Sequence, residues 1–338
     1  MARRTSLLII LAAIVTAVVA LTVVDPFASS PGRSPEVHPS PAAPQVSTTA
    51  NPAAAPTAPA EGAYLGAWVG PVGASAFTQA YEINAVYSLQ QQLGRKLRIV
   101  HTYLKWQAPF PTPSDKAFLN QGSMLLISWA GTDAKQIISG AADGWIRTRA
   151  HQIMALDRPV FLEWRWEMDR PNLRSQMHSG AGFVAAWDRI RAIFASVGVH
   201  NAAWVWCPTA KGFADGQAAA FYPGNQEVDW VCADAYPVYG TYQSFASTVD
   251  PFLSWASHHG KPVMIGEFGV PEAYGEPQRA QWLRAAQQVV LADRQIKALV
   301  YFDASPSGRG NFWLGHAAAL TEFRSIASQP YFNPAGSP

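Results

Sequence analysis

The chain is poor in charge and in cysteine. Of its 338 residues 14% are charged, and 25 Lys and Arg stand against 23 Asp and Glu. A formal net charge of +2 excludes a nucleic-acid partner held by an electrostatic footprint. No Gly-rich loop and no Lys or Arg cluster occurs at the ends of its apolar runs, which argues against a phosphate site. Cys207 and Cys232 are the only cysteines, and without His spacing they give no metal pattern. Outside the cytoplasm they suit a single disulfide; two buried thiols are the other reading, and both stay open. No internal repeat is visible, and no metal or organic cofactor is implied.

Long hydrophobic runs are equally scarce. One exists: Arg3 and Arg4 precede Leu7 to Val24, 18 residues without charge, Gly or Pro. Residues 1–24 therefore read as a signal peptide or membrane anchor, the length falling between an export signal and a short span. Either way the remainder is expected outside the cytoplasm, secreted or anchored through residues 7–24 to the outer face of the cytoplasmic membrane. Residues 25–61 almost lack large apolar side chains and are Pro, Ala, Ser and Thr. Such a stretch buries too little surface to offset its ordering entropy, so a disordered, extended linker is expected.

Aromatic and apolar residues are what the chain has in quantity: 13 Trp, 11 Tyr, 16 Phe, and 49% hydrophobic overall. Across residues 62–338, short apolar runs alternate with helical patterns eight times. The runs are near Ala63–Val69, Lys96–Trp106, Ser123–Ala130, Val160–Met168, Ala202–Cys207, Val228–Tyr236, Pro262–Phe268 and Lys297–Asp303. Strand alternating with helix predicts a parallel sheet, and this size predicts an α/β fold with one (β/α)₈ TIM barrel, expected as a monomer.

In such a barrel functional residues stand at the C-terminal ends of strands. Those ends give Trp68, Trp106, Trp129, Glu167, Trp206, Asp234 with Tyr236, Glu267, and Tyr301 with Asp303. Flat aromatic faces stack on the apolar faces of sugars, and two carboxylates are what retaining glycoside hydrolysis requires. Strict alternation in the fourth strand puts Phe161, Glu163, Arg165 and Glu167 on the inward face, with Leu162, Trp164, Trp166 and Met168 towards the helices. Arg165 is then placed to pair Glu163 and Glu167 as a supporting cluster. In the seventh strand, Val263 and Ile265 share a face with Glu267.

The runs Trp166-Glu167-Met168-Asp169 and Glu267-Phe268-Gly269, with YLGAW in the first strand, WVWCP in the fifth and DWVCADAYP in the sixth, resemble glycoside hydrolase family 26. The resemblance covers about Tyr64 to Asp303 and implies a retaining enzyme, β-mannanase-like, on a TIM barrel. It makes Glu167 the acid/base and Glu267 the nucleophile, and matches Asp234 and Tyr236 to positions that contact the sugar and the nucleophile. This chain departs from the family where Trp166 replaces the His before the acid/base, Glu163 replaces an Arg, and the strand-eight Trp appears as Tyr301 or is absent. The expected substrate is a polysaccharide or oligosaccharide, bound by Trp68, Trp129, Trp166, Trp206, Asp234, Tyr236 and Tyr301. A catalytically silent polysaccharide-binding barrel is the alternative, as is a glycosidase for another glycan: β-glucan, xylan or an envelope glycan.

Overall fold

A computed structural model describes residues 53–70, 78–238, 240–305, 311–315 and 317–334. The proposed signal or anchor, and residues 25–52 of the proposed linker, lie outside them. Among the described residues no helix is long and apolar enough to cross a membrane.

Eight strands form, β1 (Tyr64–Val69), β2 (Ile99–Leu104), β3 (Met124–Trp129), β4 (Val160–Trp164), β5 (Ala202–Trp206), β6 (Trp230–Ala235), β7 (Val263–Phe268) and β8 (Ile296–Asp303). They pair in parallel in chain order and close into a barrel, with β1 running from Tyr64 opposite Ala298 to Val69 opposite Asp303 on β8. This is the expected TIM barrel. Buried on both faces, its strands read as nearly continuous apolar runs.

Alternation divides the side chains into two layers. Tyr64, Ile99, Met124, Leu126, Phe161, Ala203, Val205, Trp230, Met264, Ala298 and Val300 fill the barrel. Leu125, Ile127, Leu162, Trp164, Trp204 and Ile265 face the helices. There Trp164 stacks on Phe183 of the helix Gly180–Val197, centroids 5.1 Å apart. That helix starts at Ser179, whose side chain accepts from the Gly182 amide, and ends at Gly198 with φ 85°. Glycine takes that left-handed turn without steric cost.

The structure corrects three boundaries. The fourth strand stops at Trp164 rather than Met168. Between β3 and β4, where the sequence pattern reads as one helical stretch from Ala134 to Leu156, stand two helices, Ala134–Ile138 and Asp143–Met154. The linker gives way to packed structure before residue 61. Ala55 and Ala58 pack on the apolar floor of the barrel. The Tyr64 hydroxyl donates to the Thr57 carbonyl at 3.1 Å, and the Ala55 amide to the His200 carbonyl at 2.9 Å. This strap holds because its own polar backbone groups find partners and its small side chains cover Trp230 and Phe161. Cys207 and Cys232, on adjacent strands inside the barrel, are joined as a disulfide.

Candidate active site

Both glutamates occupy places where strand geometry breaks. Beyond Trp164, Arg165 and Glu167 adopt positive φ of 54° and 52°, a costly conformation for residues with a Cβ. Neighbouring strands hold it: the Arg165 amide donates to the Trp129 carbonyl at 3.0 Å and the Glu167 amide to the Cys207 carbonyl at 2.7 Å. The break turns Trp166, expected towards the helices, into the cleft beside Glu167. Asp169 ties this loop to the next unit by accepting from the Thr209 amide at 3.0 Å and from its hydroxyl. Gly212 permits the approach, since a Cβ there would stand 1.9 Å from Asp169 Oδ2.

On β7 the register slips by one residue: Ala233 pairs with Ile265, but Asp234 pairs with Glu267. Val263 and Ile265 belong to the outer layer, so unbroken alternation would aim Glu267 at the helices. The bulge at Gly266 re-aims it into the cleft, correcting the expected shared face.

Glu267 is 6% exposed. The Tyr103 hydroxyl donates to Oε1, and the Tyr236 hydroxyl to Oε2 at 2.8 Å. Burial, and then the charge of Glu167, push its carboxyl up to about 7, against the pull of the two hydroxyls and Arg170. Burial and the Glu267 charge push both tyrosines well above their ordinary value, so they remain donors. Glu167 accepts from Arg170 Nη1. Arg165, expected to pair Glu163 and Glu167, forms no ion pair among the described residues; Glu167 is paired instead with Arg170.

These groups line a cavity of about 760 Å³, with Trp68, Trp166, Leu173, Phe302 and Phe312 as apolar walls. A second lobe of about 310 Å³ opens past Trp68, Tyr103 and Trp166. Apolar walls with convergent polar groups suit a sugar chain. Of the expected sugar contacts, Trp68, Trp166 and Tyr236 line the cavity and four residues do not. Trp129 stacks on Trp106 at 4.4 Å in the outer layer. Trp206 packs on Tyr222 and Trp255. Tyr301 is fully buried, its hydroxyl donating to the Phe312 carbonyl at 2.7 Å. Asp234, 3% exposed, lies within the barrel beneath the cleft with Glu163. Tyr103, Arg170, Phe302 and Phe312 were not singled out from sequence, although Tyr103 and Phe302 share strand parity with inward-facing neighbours.

No family model matches the chain. Solved structures with this fold include a family 26 β-mannanase from Bacteroides ovatus, with TM-score 0.58 and 14% identity, covering 80% of this chain and 90% of that one. A β-mannanase from a symbiotic protist of the termite Reticulitermes speratus has TM-score 0.57 and 15% identity over 82% of this chain and 91% of that one. The barrel has the family 26 glycoside hydrolase fold. The resemblance read from the sequence thus holds at the level of architecture. Among curated proteins, Endoglucanase H of Acetivibrio thermocellus is 30% identical over 260 residues, 71% of this chain and 28% of that protein. A β-1,3-xylanase of an Alcaligenes species is 29% identical over 153 residues, 44% of this chain and 29% of that protein. The chain thus spans under a third of the length of these relatives.

Proposed function

We propose that the chain is a retaining glycoside hydrolase that cleaves β-linked polysaccharide, with Glu267 as nucleophile and Glu167 as acid/base. The observation that carries this is the clamp on Glu267: two part-buried tyrosine hydroxyls, one on each oxygen, orient a carboxylate in an aromatic-walled cleft that a second glutamate also lines. Hydroxyl donors favour the anion that attack at an anomeric carbon requires. Glu267 would form the glycosyl-enzyme bond while Glu167 protonates the leaving oxygen; Glu167 then takes a proton from water, which displaces Glu267. Arg170 at Glu167 would steady it in its ionised phase.

Polysaccharide is the substrate class, and the 30% identity to an endoglucanase supports a β-glucan as the first polymer to test, with β-mannan and xylan beside it. Export outside the cytoplasm, by the segment at residues 7–24, belongs to the same reading, because such polymers do not enter the cytoplasm intact. A silent binding barrel has no use for a clamped, half-titrating carboxylate.

The test is hydrolysis of β-glucans, β-mannans and xylans by the wild type, Glu267→Ala and Glu167→Gln, with the anomeric configuration of the first product followed by NMR. Activity with retention, lost in both variants, is the expected result. Inversion, or full activity in Glu267→Ala, refutes the assignment.

A further inference from the structure

Beneath Glu267 the barrel carries polar side chains that the chemistry above does not use. His101 Nε2 lies 2.6 Å from Ser128 Oγ, and Ser128 donates to Glu163 Oε2. The remaining oxygen of Glu163 and Oδ2 of Asp234 are buried with no hydrogen-bond partner among the described residues. Glu163 and Asp234 are 2% and 3% exposed. One carboxylate oxygen of each, with the two disulfide sulfurs, all lie within 4.8 Å of one another. Gly266 keeps the space tight, since a Cβ there would stand 2.5 Å from Cys232 Sγ and 3.1 Å from Asp234 Oδ1.

Two adjacent carboxylates in such a place cannot both be ionised without a cation. No ion pair reaches either among the described residues, and the nearby Arg170 is engaged by Glu167. The groups facing the pair are His101, through Ser128, and Tyr103 from β2, Glu167 and Asp169 from the loop after β4, Tyr236 beyond β6, and Glu267 from β7. Burial pushes His101 down to about 3, so it is neutral and supplies no positive charge. Burial, and then the charges of Glu267 and the other acids, push Glu163 and Asp234 well up, Ser128 opposing for Glu163.

We propose that Glu163 and Asp234 share one proton as a carboxylic acid–carboxylate pair beneath the nucleophile, so that the pair sets one negative charge rather than two against Glu267. The role of Glu267 rests on the reading given above; the shared proton does not. The acid form of one partner supplies an O–H donor where no other donor is in place. With that proton held below, the Tyr103 and Tyr236 hydroxyls stabilise the anion above it.

The first test is infrared spectroscopy of the wild-type protein at neutral pH, with Glu163→Gln and Asp234→Asn as references. A protonated carboxylic acid gives its own carbonyl band, which shifts in D₂O. The band is expected in the wild type and lost or shifted in both variants. Its absence from the folded wild type overturns the proposal whether or not any glycan is cleaved. The second test is the pH profile of kcat/KM. Glu163→Gln keeps the charge of the pair and should leave the acid limb in place. The double variant removes that charge and should move the limb down by about 0.5–1 pH unit. A limb displaced downward by about 0.5 pH unit or more in Glu163→Gln means that Glu163 is the ionised partner or that both are ionised, and overturns the proposal. One equivalent of tightly bound metal in the purified protein does so too, by making these carboxyls ligands.

Discussion

Replacing Tyr103 by Phe removes one hydroxyl from Glu267 and leaves its ring against Trp68 and Trp166. The carboxyl stands at about 7 because burial and the charge of Glu167 raise it while the hydroxyls of Tyr103 and Tyr236 hold it down. A hydrogen bond to a charged group contributes about 1.5–3 kcal/mol. At about 1.4 kcal/mol per pH unit, losing one raises the carboxyl by about 1–2 units. The nucleophile acts as the anion, so the acid limb of kcat/KM moves to higher pH by that amount. Well below the limb the variant should be slower by about 10–100-fold, and well above it the gap should narrow. The assay is kcat/KM on the best polysaccharide or an oligosaccharide from it, between about pH 4 and 9, for wild type, Tyr103→Phe and Tyr236→Phe. A uniform loss at every pH with the limb unmoved would show that the hydroxyls only shape the cleft, and would refute the electrostatic argument.

Burial raises Glu267 from 4.5 to about 7, so its contribution to stability is full below about pH 4.5 and lost as pH rises through about 7. Glu267→Gln should therefore gain on the order of 2–3 kcal/mol over wild type at about pH 8 and little at about pH 4, read as a difference in Tm. Trp166→Ala removes a wall shared by both lobes and should raise KM by roughly tenfold while the folded state persists, checked by initial rates and circular dichroism. Cys207→Ala with Cys232→Ala opens a loop closed across 25 residues and should cost about 3 kcal/mol in urea unfolding. A chain starting at Gly62 should melt several degrees below one starting at Ala53, because it leaves Trp230 and the barrel floor uncovered.

The barrel was legible because its strands are buried on both faces and punctuated by helices. Most errors in the site came from treating a strand end as a direction. On β3, Met124 and Leu126 point inward, so Trp129 points outward by parity. On β8, Ala298 and Val300 point inward, which takes Tyr301 to the helices and Phe302 to the cleft. Tyr103 was passed over because the second run was carried on to Trp106, whereas the strand ends at Leu104. Parity alone is no complete remedy. Applied to β7 it would send Glu267 to the outer layer with Val263 and Ile265, and the bulge that rescues it leaves no pattern beyond a glycine. Both glutamates line the cleft; alternation placed Glu167 inward, but for Glu267 only the motif run pointed there, since motif and period report different constraints.

The slip at Gly266 has a consequence for how this site tolerates change. Apolar residues such as Val263 and Ile265 exchange for others of similar volume at modest cost, with no effect on where the chain slips. Removing a single residue at Gly266 is a different kind of change. It joins Ile265 to Glu267, and even alternation then keeps the carboxylate on the cleft side, whereas a strand running evenly through Gly266 at full length would turn it to the helices. The aim of Glu267 therefore depends on the bulge and not on the residue types at Val263 and Ile265, so that a change flattening the bulge at constant length threatens the reaction far more than drift in the core does.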